Sequence, residues 1–191
     1  MSTTQMTTTS ADLLSKIENK TACVGIVGMG YVGLPLAVAV FDAGYSVLGF
    51  DVDPNKIECL NSGTPYLKHL GDDFSKELAT ADRFRATDNP EALKDADIIL
   101  LCVPTPLGAH NEPDLTYVLE STKAVAKVLR KGQLVVLEST TYPGTTRDEM
   151  LPILEATGLM HGEDFFVAYS PEREDPGRKS ESTQTIPKLV G

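Results

Sequence analysis

The sequence predicts an α/β fold: a doubly wound, mostly parallel six-stranded sheet with helices on both faces. Three observations predict it. Short runs of β-branched and aliphatic residues alternate with helical segments along most of the chain. The runs are apolar throughout, as strands buried on both faces are. The first run passes directly into a glycine-rich turn and a helix. Right-handed crossovers then place helices on either side of the sheet.

Residues 1–10 are Thr/Ser-rich, which predicts disorder. Residues 11–20 offer one short helix with Leu13, Leu14 and Ile17 on one face. The domain proper is expected over 22–191. Its first strand is ACVGIVG, and the helix that follows stops at Gly44. SVLGFD is the second strand. DPNKIECLNSG is a helix with Asp53 as N-cap, Pro54 at the first position and Gly63 at the stop. Residues 64–82 carry the weakest signal, with a short helix expected in DDFSKELAT. RFRATD is the third strand, PEALKDA a short helix and ADIILLCV the fourth strand. PTPLGAHNEP is a loop. DLTYVLESTKAVAKVLRKG reads as one helix, capped by Asp114 and stopped by Gly132. QLVVLEST is the fifth strand. GTTRDEMLPILEATG is a helix in which Pro152 predicts a kink. DFFVAYS is the sixth strand, 171–187 an extended polar loop, and KLVG the beginning of a further strand.

Composition excludes several classes of function. Lys and Arg number 17 against 27 Asp and Glu, a formal charge of −10 over 191 residues. So acidic a surface repels phosphate backbones, which argues against nucleic-acid binding. No apolar run approaches the ~20 residues that span a bilayer. The first ten residues lack the basic and apolar regions of a secretory signal. Cys23, Cys59 and Cys102 show no paired spacing and read as reduced thiols of a cytoplasmic protein. His69, His110 and His161 are scattered and make no metal constellation.

The chemistry concentrates in Gly28-Met29-Gly30-Tyr31-Val32-Gly33, a G-x-G-x-x-G placed between a strand and a helix. Gly28 permits the tight turn, Gly30 lets the backbone approach a pyrophosphate, and Gly33 lets the helix pack closely on the strand. The helix N-terminus offers N–H groups and partial positive charge to the anion. Tyr31 and Val32 lie within this turn; Tyr31 leans over the pyrophosphate or simply packs. Alone, the glycine pattern also serves packing. Asp51 strengthens it: it ends the second strand, 18 residues beyond Gly33, where an acid receives the ribose hydroxyls. Together these predict a Rossmann dinucleotide site. A carboxylate there repels a 2′-phosphate and so favours NAD over NADP. Lys56 either neutralises Asp51, touches the ribose, or is a plain surface lysine.

Ligands of such sheets bind beyond the carboxyl ends of the strands. After the fourth strand, Val103-Pro104-Thr105-Pro106 either crosses the cofactor with Thr105 near it or is a rigid turn with Thr105 solvated. After the fifth, Ser139, Thr140 and Thr141 either approach the nicotinamide or, through Ser139 or Thr141, cap the next helix. After the sixth, Glu172 is a candidate general base, although composition alone favours a solvated loop. Cys102 reads as a buried structural thiol.

The segments VGIVGMGYVGLPLA, GFDVD, ADIILLCVPTP, EPDLTYV, LVVLESTTYPGTT and YSPEREDPG together resemble the UDP-glucose/GDP-mannose dehydrogenase family, from about Ala22 to the end of the chain. The ESTTYPGTT and SPERxDPG forms are most similar to the branch that oxidises UDP-N-acetylhexosamines, such as UDP-N-acetyl-D-glucosamine 6-dehydrogenase. The resemblance implies oxidation of the sugar C6 alcohol to a carboxylate with two NAD in sequence, through a cysteine-bound intermediate. It assigns Gly28, Gly30 and Gly33 to the pyrophosphate, Asp51 to the ribose, and Thr105 and Ser139 to cofactor contacts. It gives Thr140 a water-positioning role near the reacting carbon and Glu172 acid/base work in hydrolysis. The UDP-sugar site, the catalytic cysteine and homo-oligomer contacts are expected in a second part absent from these residues. None of the three cysteines stands in the family's motif. The expectation is therefore an inactive cofactor domain of a longer enzyme. The alternatives are a non-catalytic NAD module, against which Thr140 and Glu172 argue, and the cofactor domain of a β-hydroxyacid-type dehydrogenase.

Overall fold

A computed structural model describes residues 7–67, 73–108, 112–171 and 190–191. Six strands lie in the order β3-β2-β1-β4-β5-β6, and all five pairings are parallel. They are β1 Cys23–Val27, β2 Ser46–Phe50, β3 Phe84–Thr87, β4 Ile98–Leu101, β5 Leu134–Leu137 and β6 Phe166–Tyr169. The chain winds outward from β1 in one direction through β2 and β3, then in the other through β4, β5 and β6. The reversal leaves a crevice beyond the carboxyl ends of β1 and β4.

Helices α2 (Gly33–Asp42), α3 (Pro54–Ser62) and α4 (Asp73–Thr80) follow β1 and β2; α5 (Thr116–Ala126) and α6 (Leu151–Glu155) follow β4 and β5. Strand side chains alternate between two cores. Ile26, Val47, Leu100 and Val136 pack with Leu34, Ala37, Phe41, Ile57 and Leu60 on one face. Val27, Leu48, Ile99 and Leu137 pack with Leu93, Val118, Val125, Met150 and Leu154 on the other. Both faces are covered, which is why the strands carry so few polar residues. Asp53 caps α3 as expected, its carboxylate accepting from the Asn55 N–H at 3.0 Å, and Gly63 ends that helix at φ +69°.

Four local expectations are revised. The first helix, α1, runs Thr8–Glu18, so it begins inside the stretch expected to be disordered. Thr7 starts it: the Thr7 hydroxyl accepts from the Ser10 N–H at 3.1 Å. PEALKDA forms a 3-10 turn, Pro90–Asp95, capped by Asn89. Helix α5 ends at Ala126 and not at Gly132; i to i+3 bonds from Val128 and Leu129 tighten the chain beyond it. Asp114 still serves its start, accepting from both the N–H and the hydroxyl of Thr116. Around Pro152 the kink takes the form of a wide π turn, Thr145–Met150, leading into α6. Pro152 has no N–H to continue that ladder, so the helix resets. Lys188 and Leu189 of the expected last strand lie outside the described residues, while Gly191 exchanges both backbone hydrogen bonds with Tyr169.

Candidate functional site

At the carboxyl ends of β1, β2, β4 and β5 lies a cleft of about 870 Å³. Gly28, Gly30, Tyr31, Val32, Asp51, Lys56, Thr105, Ser139 and Thr140 all line it. Thus nine of the cofactor candidates share one cavity. Gly33 is buried at the start of α2 and is not among the lining residues. Glu172 falls outside the described residues.

The three glycines have three separate reasons. Gly28 has φ +95°, and a β-carbon there would come within 2.6 Å of the Cys102 carbonyl oxygen. At Gly33 a β-carbon would run into the Gly28 carbonyl oxygen. A β-carbon on Gly30 would meet nothing within 4 Å. Gly30 is therefore not needed by the packing of the protein itself; its bare face borders the cleft. A group bound against the turn is what would need that space. Pro35 sits in the first turn of α2, where its missing N–H costs nothing.

Asp51 is 5% exposed. Its Oδ2 accepts from the Met29 N–H at 2.8 Å and from Lys56 Nζ at 2.8 Å, and its Oδ1 from the Asp53 N–H at 3.0 Å. The ion pair with Lys56 replaces the surface-lysine reading. A carboxylate has about four acceptor positions, so these three donors leave room for a hydroxyl. Lys56 is the one cation among the described lining residues, beside the carboxylates of Asp51, Asp53, Asp88, Glu120 and Glu138. A 2′-phosphate would meet like charge there.

The loops after β4 and β5 are stitched together. Thr105 Oγ1 donates to the Thr140 carbonyl at 2.7 Å, and Ser139 Oγ donates to the Val103 carbonyl at 2.6 Å. Thr105 is accordingly tied to the opposite loop rather than merely solvated. Ser139 does not cap the following helix: Gly144 precedes that segment with no side-chain cap. Each hydroxyl gives its proton to the opposite loop and keeps oxygen lone pairs for a ligand. Cys102 is buried in the cleft floor, in keeping with a structural thiol. Among the described residues no group of His, Cys, Asp or Glu could hold a metal ion.

Several lining residues had no motif to announce them. Tyr117, Ser121 and Ala124 come from one face of α5, and Val52, Asp88 and Pro90 from the ends of β2 and β3. The i, i+4, i+7 spacing of the first three was the available signal. Tyr31 is 62% exposed and Val52 82% exposed at the cleft mouth.

Residues 22–191 match the UDP-glucose/GDP-mannose dehydrogenase family, NAD binding domain. The chain belongs to that family. It carries the family's NAD-binding domain, so the family's cofactor and the geometry of the cleft agree. UDP-N-acetyl-D-glucosamine 6-dehydrogenase of Pseudomonas aeruginosa is 40% identical over 168 residues, 87% of this chain and 39% of that protein. Protein CapL of Staphylococcus aureus is 42% identical over 168 residues, 87% of this chain and 38% of that protein. The solved structure of a UDP-D-ManNAc dehydrogenase from Pyrococcus horikoshii superposes with a TM-score of 0.76 at 40% identity, covering 82% of this chain and 37% of that one. The chain thus spans about two fifths of the length of the curated relatives it matches. No helix among the described residues is long and apolar enough to cross a membrane.

Proposed function

We propose that these residues bind NAD for an enzyme that oxidises the C6 alcohol of a UDP-hexose or UDP-N-acetylhexosamine to the uronate in two hydride transfers. The observation that carries the cofactor half is the cleft itself: an open-faced Gly30 in a glycine turn and a buried Asp51 border the same cavity. The substrate half rests on the family and on relatives that bear UDP-N-acetylhexosamine dehydrogenase names.

In this reading the turn from Gly28 to Gly33 holds the diphosphate on main-chain N–H groups and the N-terminus of α2. Asp51 accepts a ribose hydroxyl, with Lys56 balancing its charge. Nicotinamide supplies the hydride acceptor when bound. The Thr105–Thr140 and Ser139–Val103 bonds hold the rim near that end rigid. Thr140 positions a water near the reacting carbon, and Glu172 moves its proton during hydrolysis. The 191 residues alone bind NAD without completing the oxidation, because none of Cys23, Cys59 and Cys102 stands in the family's catalytic motif.

Calorimetric titration of the chain with NAD⁺ and NADP⁺ tests the reading. Saturable heat is expected with NAD⁺, and binding weaker by at least about tenfold with NADP⁺, since a like-charge contact of about 1.4 kcal/mol suffices for that. The absence of NAD⁺ binding by folded protein would overturn it. Incubation with NAD⁺ and UDP-N-acetylglucosamine is expected to yield no uronate.

A further inference from the structure

Both main-chain polar groups of Met29, the second residue of the glycine turn, are held by side chains. Its N–H donates to Asp51 Oδ2 at 2.8 Å, and its carbonyl accepts from the Tyr66 hydroxyl at 2.7 Å. Gly28 is latched too, its N–H donating to the Phe50 carbonyl at 2.8 Å. Met29 is fully buried, with its thioether sulfur 3.0 Å from where a β-carbon on Gly49 would stand. Tyr66 comes from the segment after α3, outside the strand–turn–helix unit that makes the turn. It is half-buried and does not line the cleft.

The peptide plane gives this contact a consequence. The Met29 carbonyl and the Gly30 N–H belong to one trans peptide, in which C=O and N–H point in opposite directions. Drawing the carbonyl towards Tyr66, on the buried side, turns the Gly30 N–H towards the open side. We infer that Tyr66 is a positioning residue that sets the Met29–Gly30 peptide so that the Gly30 N–H faces the diphosphate of the bound nucleotide. The inference rests on the NAD reading of the cleft. Burial, and then the negative charge of Asp51, push the Tyr66 hydroxyl well above the usual tyrosine range. It therefore remains a protonated donor at neutral and moderately alkaline pH, which the role requires. Asp51 performs a second task by the same logic. It fixes one side of the turn residue whose other side Tyr66 fixes, and so links the ribose acid to the diphosphate turn.

The test compares the isotope-labelled chain and its Tyr66→Phe variant by NMR titration with ADP and with adenosine. In the variant the spectrum stays dispersed, the ligand-free Gly30 amide resonance moves, and ADP affinity falls by about 3–10-fold, the range for one neutral hydrogen bond. Adenosine affinity stays within about twofold, because its ribose and base do not use the Gly30 N–H. ADP affinity unchanged in Tyr66→Phe would overturn the inference. Equal weakening of ADP and adenosine would also overturn it, since that is the signature of general packing damage. Failure of the unmutated chain to bind ADP or NAD⁺ would instead overturn the cofactor reading, and the inference with it. Should Tyr66→Phe fail to fold, fluorotyrosine installed at position 66 alone decides the matter. Its fluorine resonance is expected to move with ADP and not with adenosine, and a signal indifferent to ADP would overturn the inference.

Discussion

Substituting alanine at Gly30 and at Gly33 separates the folding role of the glycine turn from its binding role. At Gly33 the new β-carbon meets the Gly28 carbonyl oxygen and comes within 3.2 Å of Ile26 Cγ2. The obstacle is backbone, so α2 must shift away from β1. An overpacked core site costs about 1–3 kcal/mol, and a backbone obstacle belongs at the upper end. At roughly 2–4 °C per kcal/mol for a chain of this size, Gly33→Ala is expected to lower the unfolding midpoint by about 6–12 °C. Gly30 differs on both counts. Its β-carbon meets neither obstacle, nor anything else within 4 Å, and like Gly33 it has no positive φ. Gly30→Ala should therefore be neutral or stabilising by up to about 1 kcal/mol, through the narrower unfolded ensemble. The methyl would nevertheless occupy the face where the proposed reading rests the diphosphate, and NAD⁺ affinity should fall at least about tenfold, or 1.4 kcal/mol. Thermal unfolding and calorimetry on the same samples read both quantities. A Gly30→Ala protein that binds NAD⁺ as well as its parent would refute the placement of the diphosphate. A Gly33→Ala protein of parental stability would refute the packing argument.

Asp51→Asn should weaken NAD⁺ by about 10–100-fold, the range for hydrogen bonds to a charged group, and narrow the NAD⁺/NADP⁺ preference; calorimetry with both cofactors checks this. Glu172→Gln is expected to leave NAD⁺ affinity within about twofold, as fits a group reserved for hydrolysis, and a large loss would place it in the cofactor site instead. Asp97 supplies the pH dependence. Burial pushes its carboxyl up, but hydrogen bonds from Lys16, the Cys23 N–H and Arg130 outweigh that and hold it below the usual range. A lowered folded value means stabilisation that is complete above about pH 3.9 and is lost as pH falls through the folded value. Asp97→Asn should flatten that acid limb of the stability curve and leave NAD⁺ binding unaltered, which denaturant titrations across pH can read.

The parallel sheet and the glycine turn were legible because each rests on a local constraint. Apolar runs such as ADIILLCV can be buried on both faces, Gly28 is required by its own positive φ, and Gly33 by contacts within its strand–turn–helix unit. The stitching of Thr105 to the Thr140 carbonyl joins positions 35 apart in sequence, and nothing in either loop announces its partner. Tyr66 lay in the stretch with the weakest periodicity, so its bond to Met29 across 37 positions was invisible. The start of α1 was misjudged for a different reason. Thr/Ser composition argued for disorder, yet Ser10 donates both its N–H and its hydroxyl to Thr7 at the start of a helix. The same residue types favour both outcomes, and docking decides between them: Leu13 is buried and Lys16 reaches Asp97 at 2.7 Å.

That docking shows how the topology sorts charge between the two ends of the sheet. In parallel β-α-β units helices begin near the carboxyl ends of the strands and finish near the amino ends, so exposed helix carbonyls gather at the amino end. Cations collect there. Lys20 donates to the Ala43 carbonyl at the end of α2, and Arg83 to the Phe41 and Tyr45 carbonyls while stacking 4.3 Å from the Phe41 ring. Arg130 donates to the carbonyls of Lys94 and Ala96 and pairs with Asp97. Buried Gln133 joins the same cluster through Leu93, Ala96 and the Arg130 N–H. At this end the polar groups partner one another, and α1, which precedes the family match, closes over them. At the carboxyl end the helix starts offer N–H groups, and the charged side chains that border the cleft are mainly carboxylates. An anion seated there is held by main chain, because among the described lining residues Lys56 is the one cation and is already paired with Asp51. The net negative charge of the chain is therefore compatible with a diphosphate in the cleft: the positive potential comes from peptide dipoles, whose reach is short, and not from net charge.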